Sequence, residues 1–137
     1  MPRPFFFALL VIAPIAASVA RDATATLAAG RPLALPSGQS IELIEVSDSR
    51  CAPGQKCAGG GYARLLLHWR SSATAPPTRL TLATTTADGQ ARDACLFGTL
   101  VRIRNVAPLP TAGATIPIAD YRVTVTIGTC PNERPAS

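Results

Sequence analysis

The chain has 137 residues, of which 47% are hydrophobic and 15% charged, with a formal net charge of +5 at pH 7. The positive charge is almost all arginine, with Lys56 the only lysine and no dense basic run. This argues against nucleic-acid binding while permitting weak attraction to an anionic surface. A single histidine and a shortage of clustered carboxylates argue against a hydrolase.

At the N-terminus Arg3 precedes an apolar run from Phe5 to Ala17, followed by the small residues Ser18-Val19-Ala20. This order predicts a secretory signal peptide over residues 1–20. The run is interrupted by Pro14, lacks a basic stop-transfer flank and falls short of the ~20 apolar residues that span a bilayer. No transmembrane segment is therefore expected once the leader is removed. The mature chain, residues 21–137, then lies in the periplasm or outside the cell, and loss of Arg3 lowers the charge from +5 to +4. Its length suits one domain. Phe5, Phe6 and Phe7 leave with the leader, so Phe97, Tyr62, Tyr121 and Trp69 are the remaining aromatic residues. The core is expected to be aliphatic, and cross-links would help to hold it.

Along the mature chain the hydrophobic pattern has period two. Short strands are predicted at Ala23 to Ala28 and Pro32 to Leu35, followed by a turn at Pro36-Ser37-Gly38 and a longer strand at Ile41 to Ser47. After the glycine run Gly59 to Gly61, Ala63 to Arg70 reads as a strand that turns Leu65, Leu67 and Trp69 inward. Pro76-Pro77 leads into a strand at Thr78 to Thr84, which a turn at Asp88-Gly89 follows. In Leu100 to Val106, Val101 and Ile103 share one face and Arg102 and Arg104 the other. Tyr121 to Ile127 has the clearest alternation, with Val123, Val125 and Ile127 inward, and the tail from Pro131 to Ser137 is expected to fray. About seven short strands with no amphipathic helix predict an all-β fold, a single immunoglobulin-like antiparallel β-sandwich. The alternative is a small β-barrel.

Four cysteines allow three pairings. Cys51 and Cys57 flank a Pro-Gly turn, which suits a small closed loop. Cys95 precedes and Cys130 follows the last two strands, whose pairing as a hairpin brings the two ends together. The expected bridges are therefore Cys51–Cys57 and Cys95–Cys130. A zinc or redox site has the wrong spacing, so no metal and no cofactor is expected. His68, next to Trp69 on a strand, lacks a nucleophile motif and is given no catalytic role. The glycine run follows no strand-to-helix pattern, which makes a phosphate cradle improbable.

Arg64, Arg102, Arg104 and Arg122 all fall on the faces opposite the apolar residues of their strands. On neighbouring strands they would form a basic patch for an anion or an acidic partner. The preferred reading is instead a solvated face balanced by residues such as Glu42 and Glu45, since charged outer faces are the default for half-exposed sheets.

The segment Asp48-Ser49-Arg50-Cys51, followed by Cys57 and Gly59 and preceded by Ile41-Glu42-Leu43-Ile44-Glu45-Val46, resembles a loose group of small exported bacterial β-proteins of uncharacterised function. In that group a strand ends in Asp-Ser-Arg-Cys-Pro and a second cysteine follows shortly before a glycine. Here Ala52 separates Cys51 from Pro53, and Ala58-Gly59-Gly60 stands where the group often has a tryptophan. The resemblance implies fold and export and carries no activity. It attaches to the strand end as a unit, which favours a structural role for Arg50 over display of Arg50 and Lys56 as recognition residues. The leading expectation is an exported, non-enzymatic binding or envelope-associated module, its partner a protein or an anionic envelope component. The alternative is a peptidase inhibitor that presents the 51–57 loop with Arg50 or Lys56.

Overall fold

The structure is a computed structural model and describes residues 11–12, 22–57 and 60–131. Most of the leader assigned to residues 1–20, Ala58 and Gly59 of the glycine-rich stretch, and the tail beyond Pro131 lie outside the described residues. No described helix is long and apolar enough to cross a membrane.

The molecule is a sandwich of two antiparallel four-stranded sheets. The first sheet has the order β1 (Ala23–Leu27), β8 (Arg122–Thr129), β7 (Thr99–Ala107), β6 (Asp93–Leu96), and the second runs β2 (Leu33–Ala34), β3 (Ser40–Asp48), β4 (Ala63–Arg70), β5 (Thr78–Ala83). The second sheet is a meander. The first is a meander from β6 to β8, closed by β1 pairing with β8. There is no closed barrel among the described residues, so the sandwich stands and the barrel alternative does not.

Seven of these strands fall where the alternation places them. The eighth, β6, is short and joins β7 through the turn Leu96-Phe97-Gly98-Thr99, whose two central residues have φ of 53° and 79°. Two positive φ values in a two-residue hairpin turn ordinarily call for Asn-Gly or Asp-Gly. A phenylalanine in that place hides the hairpin from the sequence.

The core is aliphatic around one indole. Leu27, Ile41, Leu43, Leu65, Leu67, Val101, Ile103, Val123 and Val125 are buried with Trp69 between the sheets. Alternation accounts for this directly, because residues two apart on a strand share a face. It fails at two places. In β3 the register shifts between Leu43 and Glu45, and in β7 between Ile103 and Asn105. Each bulge adds one residue, so the inward positions resume at Val46 and Val106. Because Val125 is fully buried, Val125→Ala is expected to lower unfolding stability by about 1–3 kcal/mol, against ~0.5 kcal/mol or less for Thr124→Ala. Urea titration of both variants checks this, and equal effects would contradict the register.

Strand β3 is tied to the opposite sheet at both of its ends. At its start the Trp69 indole Nε1–H donates to Gln39 Oε1 at 3.0 Å, and Gln39 Nε2 donates to Thr99 Oγ1 at 3.0 Å and to the Phe97 carbonyl at 3.2 Å. The Phe97 ring meets Trp69 edge-on with centroids 6.5 Å apart. A buried amide with both ends engaged avoids the desolvation penalty of an orphan polar group. At its other end β3 runs into the Asp-Ser-Arg-Cys segment.

Candidate functional site

The chemistry of the Asp48-to-Cys57 segment turns inward. The Arg50 guanidinium donates from Nε to Asp48 Oδ1 at 2.9 Å and from Nη2 to Asp48 Oδ2 at 2.8 Å. It also reaches the other sheet, donating from Nη1 to the Val106 carbonyl at 2.6 Å and from Nη2 to the Pro108 carbonyl at 2.8 Å. Asp48 Oδ2 accepts a further bond from the Tyr121 hydroxyl at 2.9 Å, and Asp48 Oδ1 one from the Arg50 backbone N–H at 3.1 Å. The planar fork of arginine suits this role, since it satisfies a carboxylate and two carbonyls together. Side-chain exposure is only 14% for Arg50 and 10% for Asp48.

Burial pushes the Asp48 carboxyl up, but the bonds from Arg50 and Tyr121 outweigh it and hold the group below the ordinary carboxylate range. Burial, reinforced by the bond to the Asp48 carboxylate, pushes the Tyr121 phenol up to about 12. The hydrogen bond to Asp48 raises Arg50 further still, against an opposing effect of burial. All three groups keep their charge state at neutral pH, which suits a clasp and leaves no group poised for proton transfer.

The remaining residues of the segment close the loop. Ser49 N–H donates to the Tyr62 carbonyl at 3.0 Å, which joins the end of β3 to the entry of β4. Gly61, at φ 62°, must be glycine, because a Cβ there would run into the Ser49 carbonyl. Ala52-Pro53-Gly54-Gln55 forms a turn closed by Gln55 N–H to the Ala52 carbonyl at 3.1 Å, with Gly54 supplying φ 82°. Cys51 and Cys57 are joined across it, with Cα atoms 5.9 Å apart. Lys56 stands exposed on this loop. Arg50 does not: its guanidinium is engaged by Asp48, Val106 and Pro108, so Arg50 and Lys56 are not displayed together.

Cys95 is joined to Cys130, with Cα atoms 5.7 Å apart. Cys95 lies on β6 opposite Leu100, and Cys130 N–H donates to the Gly98 carbonyl at 3.2 Å. The bridge therefore reaches across the start of β7 and fastens β6 to the end of β8. There is no free thiol among the described residues.

The four outward arginines do not form one patch. Arg64 is on β4 in the second sheet, whose outer face points away from that of the first. There its guanidinium lies 6.0 Å over the Tyr62 ring, beside a hollow of about 250 Å³ lined by Glu45, Arg64 and Arg79. Glu42 faces His68 in register, and His68 faces Arg79, so the glutamates expected to balance the arginines serve only this face. Arg102, Arg104 and Arg122 remain together on β7 and β8. Arg102 is held by Asp93 at 2.8 Å, Arg104 Nε donates to Thr126 Oγ1 at 2.7 Å, and Arg122 Nη1 donates to the Ala119 and Tyr121 carbonyls at 2.7 and 2.9 Å.

A cavity of about 220 Å³ next to the clasp is lined by Val46, Pro110, Ile116, Asp48 and Tyr121. Its carboxylate and phenol oxygens are those already engaged by the clasp, and Thr115 also lines the wall. Among the described residues no group of three or more His, Cys, Asp or Glu side chains gathers as a metal site would require. Tyr121 and Gln39 escaped the sequence reading as polar participants, and so did the bulge at Asn105. For Tyr121 the signal was its phenol at the inward end of an alternating strand, and for Asn105 the break in alternation at Arg104-Asn105-Val106.

Compared with protein-family models, with curated proteins and with solved structures, the chain gives no significant match.

Proposed function

We propose that the chain is an exported, non-enzymatic binding module, and that it engages an anionic component of the cell envelope through the outer face of the first sheet. The observation that carries this reading is the grouping of Arg102, Arg104 and Arg122 on one face of β7 and β8. Among the described residues the ion pairs are Arg50–Asp48 and Arg102–Asp93, so Arg104 and Arg122 stand on that face without a carboxylate partner. None of the three stands directly opposite another, since Arg102 faces Thr126 and Arg122 faces Ala107, so they present spaced positive charges along the face. Two disulfides and the signal-like N-terminus support export, since such bridges persist in oxidising compartments. The resemblance carried by Asp48-Ser49-Arg50-Cys51 supports the same compartment. The titratable groups that do stand together, Asp48, Arg50 and Tyr121, are engaged with one another, which favours a binding role over a catalytic one.

The test is retention on dextran sulfate beads across a salt gradient. Removing two arginines, at ~1 kcal/mol for each basic residue near an anionic surface, should weaken capture of Arg104→Ala/Arg122→Ala at least tenfold. Arg64→Ala, on the opposite face, should behave as the wild type. Equal losses from both variants would reduce the effect to net charge and remove the site. Inhibition of trypsin that depends on Lys56 would favour the inhibitor reading instead.

A further inference from the structure

Resting on that reading, we infer that the partner is an acidic polysaccharide, whose carboxylates dock on Arg104 while its hydroxyls meet the polar side chains around it. The β7 bulge is the first reason. By inserting a residue between Ile103 and Asn105 it turns Arg104 and Asn105 outward in succession, both exposed, where plain alternation would bury one of them. Bulges commonly re-aim a side chain in this way, and here the result is a guanidinium beside a carboxamide.

The second reason is that Arg104 is positioned. Its Nε is tethered to Thr126 Oγ1, which leaves the terminal Nη1 and Nη2 edge to meet a carboxylate in bidentate fashion. Pre-organisation of this kind lowers the ordering cost of binding.

The surroundings specify the rest of the ligand. Thr24 lies opposite Thr126, which lies opposite Arg102, and Thr26 lies opposite Thr124, which lies opposite Asn105. Hydroxyls and an amide thus stand around Arg104, while the carboxylates on this face, Asp93 paired with Arg102 and Asp22 over Gly128, lie toward its Arg102 end. Among the described residues from Asp22 onward no exposed large apolar side chain stands on β7 or β8, since Ile44 is on β3, Phe97 and Leu109 are in loops and Ile118 is in the 3-10 turn that precedes β8, so the middle of this face carries no wedge to insert into a bilayer. The two hollows described above also lie elsewhere, on the outer face of the second sheet and beside the clasp. An open, hydroxyl-rich, cationic platform suits an extended chain of charged sugars better than a compact ligand or a membrane surface.

The experiment measures binding of the full mature protein to polygalacturonate, to neutral dextran and to phosphatidylglycerol vesicles. Polygalacturonate should bind in a salt-dependent manner, with neutral dextran giving no signal and the vesicles a weaker one. Arg104→Lys keeps the charge and loses the fork, so it should lower polygalacturonate affinity about tenfold while leaving retention on dextran sulfate nearly unchanged. Asn105→Ala should lower the same affinity a few-fold, with the thermal midpoint recorded to confirm folding. Vesicle binding that exceeds polygalacturonate binding, or wild-type polygalacturonate affinity in Arg104→Lys, would overturn the polysaccharide and leave the cationic face standing. Dextran sulfate retention that ignores Arg104→Ala/Arg122→Ala would overturn the face itself.

Discussion

Arg50→Ala is expected to lower the unfolding free energy by about 3 kcal/mol, the lower end of the range for removing one partner of a buried ion pair. The residual exposure of the two side chains sets the lower end. The variant loses the bonds to Asp48 and, with them, the bonds to the Val106 and Pro108 carbonyls that tie the end of β3 to the opposite sheet. Asp48→Asn should cost less, because its amide still accepts from Tyr121, and the two changes together should cost less than their sum. Equilibrium urea unfolding at pH 7 measures all three. A loss of only a few tenths of a kcal/mol in Arg50→Ala would mean that the clasp does not hold the sheets.

The same group makes the pH dependence specific. Asp48 titrates below its ordinary value of 3.8 in the folded protein, so its contribution is present above pH 3.8 and is lost as pH falls through the folded value. Tyr121 is raised from 10.0 to about 12, so its contribution is complete below pH 10 and is lost as pH rises toward 12. Arg50→Ala should flatten the acid limb, and Tyr121→Phe the alkaline one.

The second large effect belongs to the Cys95–Cys130 bridge. Replacing both cysteines with alanine is expected to cost about 4 kcal/mol, against ~2.5 kcal/mol for removal of Cys51–Cys57, because the chain-entropy contribution grows with the size of the closed loop. The sequence separations are 35 and 6 residues. The longer bridge also ties β6, the short strand whose turn places Phe97 at positive φ, to the end of β8. Against a typical domain stability of about 5–15 kcal/mol, loss of this bridge leaves little margin. Thermal unfolding of the two double variants checks the order, and a larger loss from the Cys51–Cys57 variant would contradict it.

Much of the fold was legible because period-two alternation and turn residues are local signals. Leu65, Leu67 and Trp69, or Val123, Val125 and Ile127, declare a buried face without help from the rest of the chain. What stayed hidden was one hairpin without its usual turn residues and, beyond it, features that depend on partners distant in sequence. The β6 strand is held by a hairpin whose turn lacks its usual residues, and both bulges look like ordinary strand until the partner register is known. Arg50 could be read as exposed or engaged, and only the approach of Val106, Pro108 and Tyr121 decides between them. The split of Arg64 from Arg102, Arg104 and Arg122 is likewise a matter of which sheet a strand joins, which alternation alone does not encode.

In the proposed reading the Asp-Ser-Arg-Cys segment holds the sheets together and the outer face of β7 and β8 binds. An NMR titration of the folded, disulfide-bonded protein with oligogalacturonate separates the two tasks residue by residue. The expected result is a set of amide shifts centred on Arg102, Arg104, Asn105, Arg122 and Thr124, with the 51–57 loop unmoved. Shifts centred on Lys56 and its loop, with β7 and β8 silent, would contradict it.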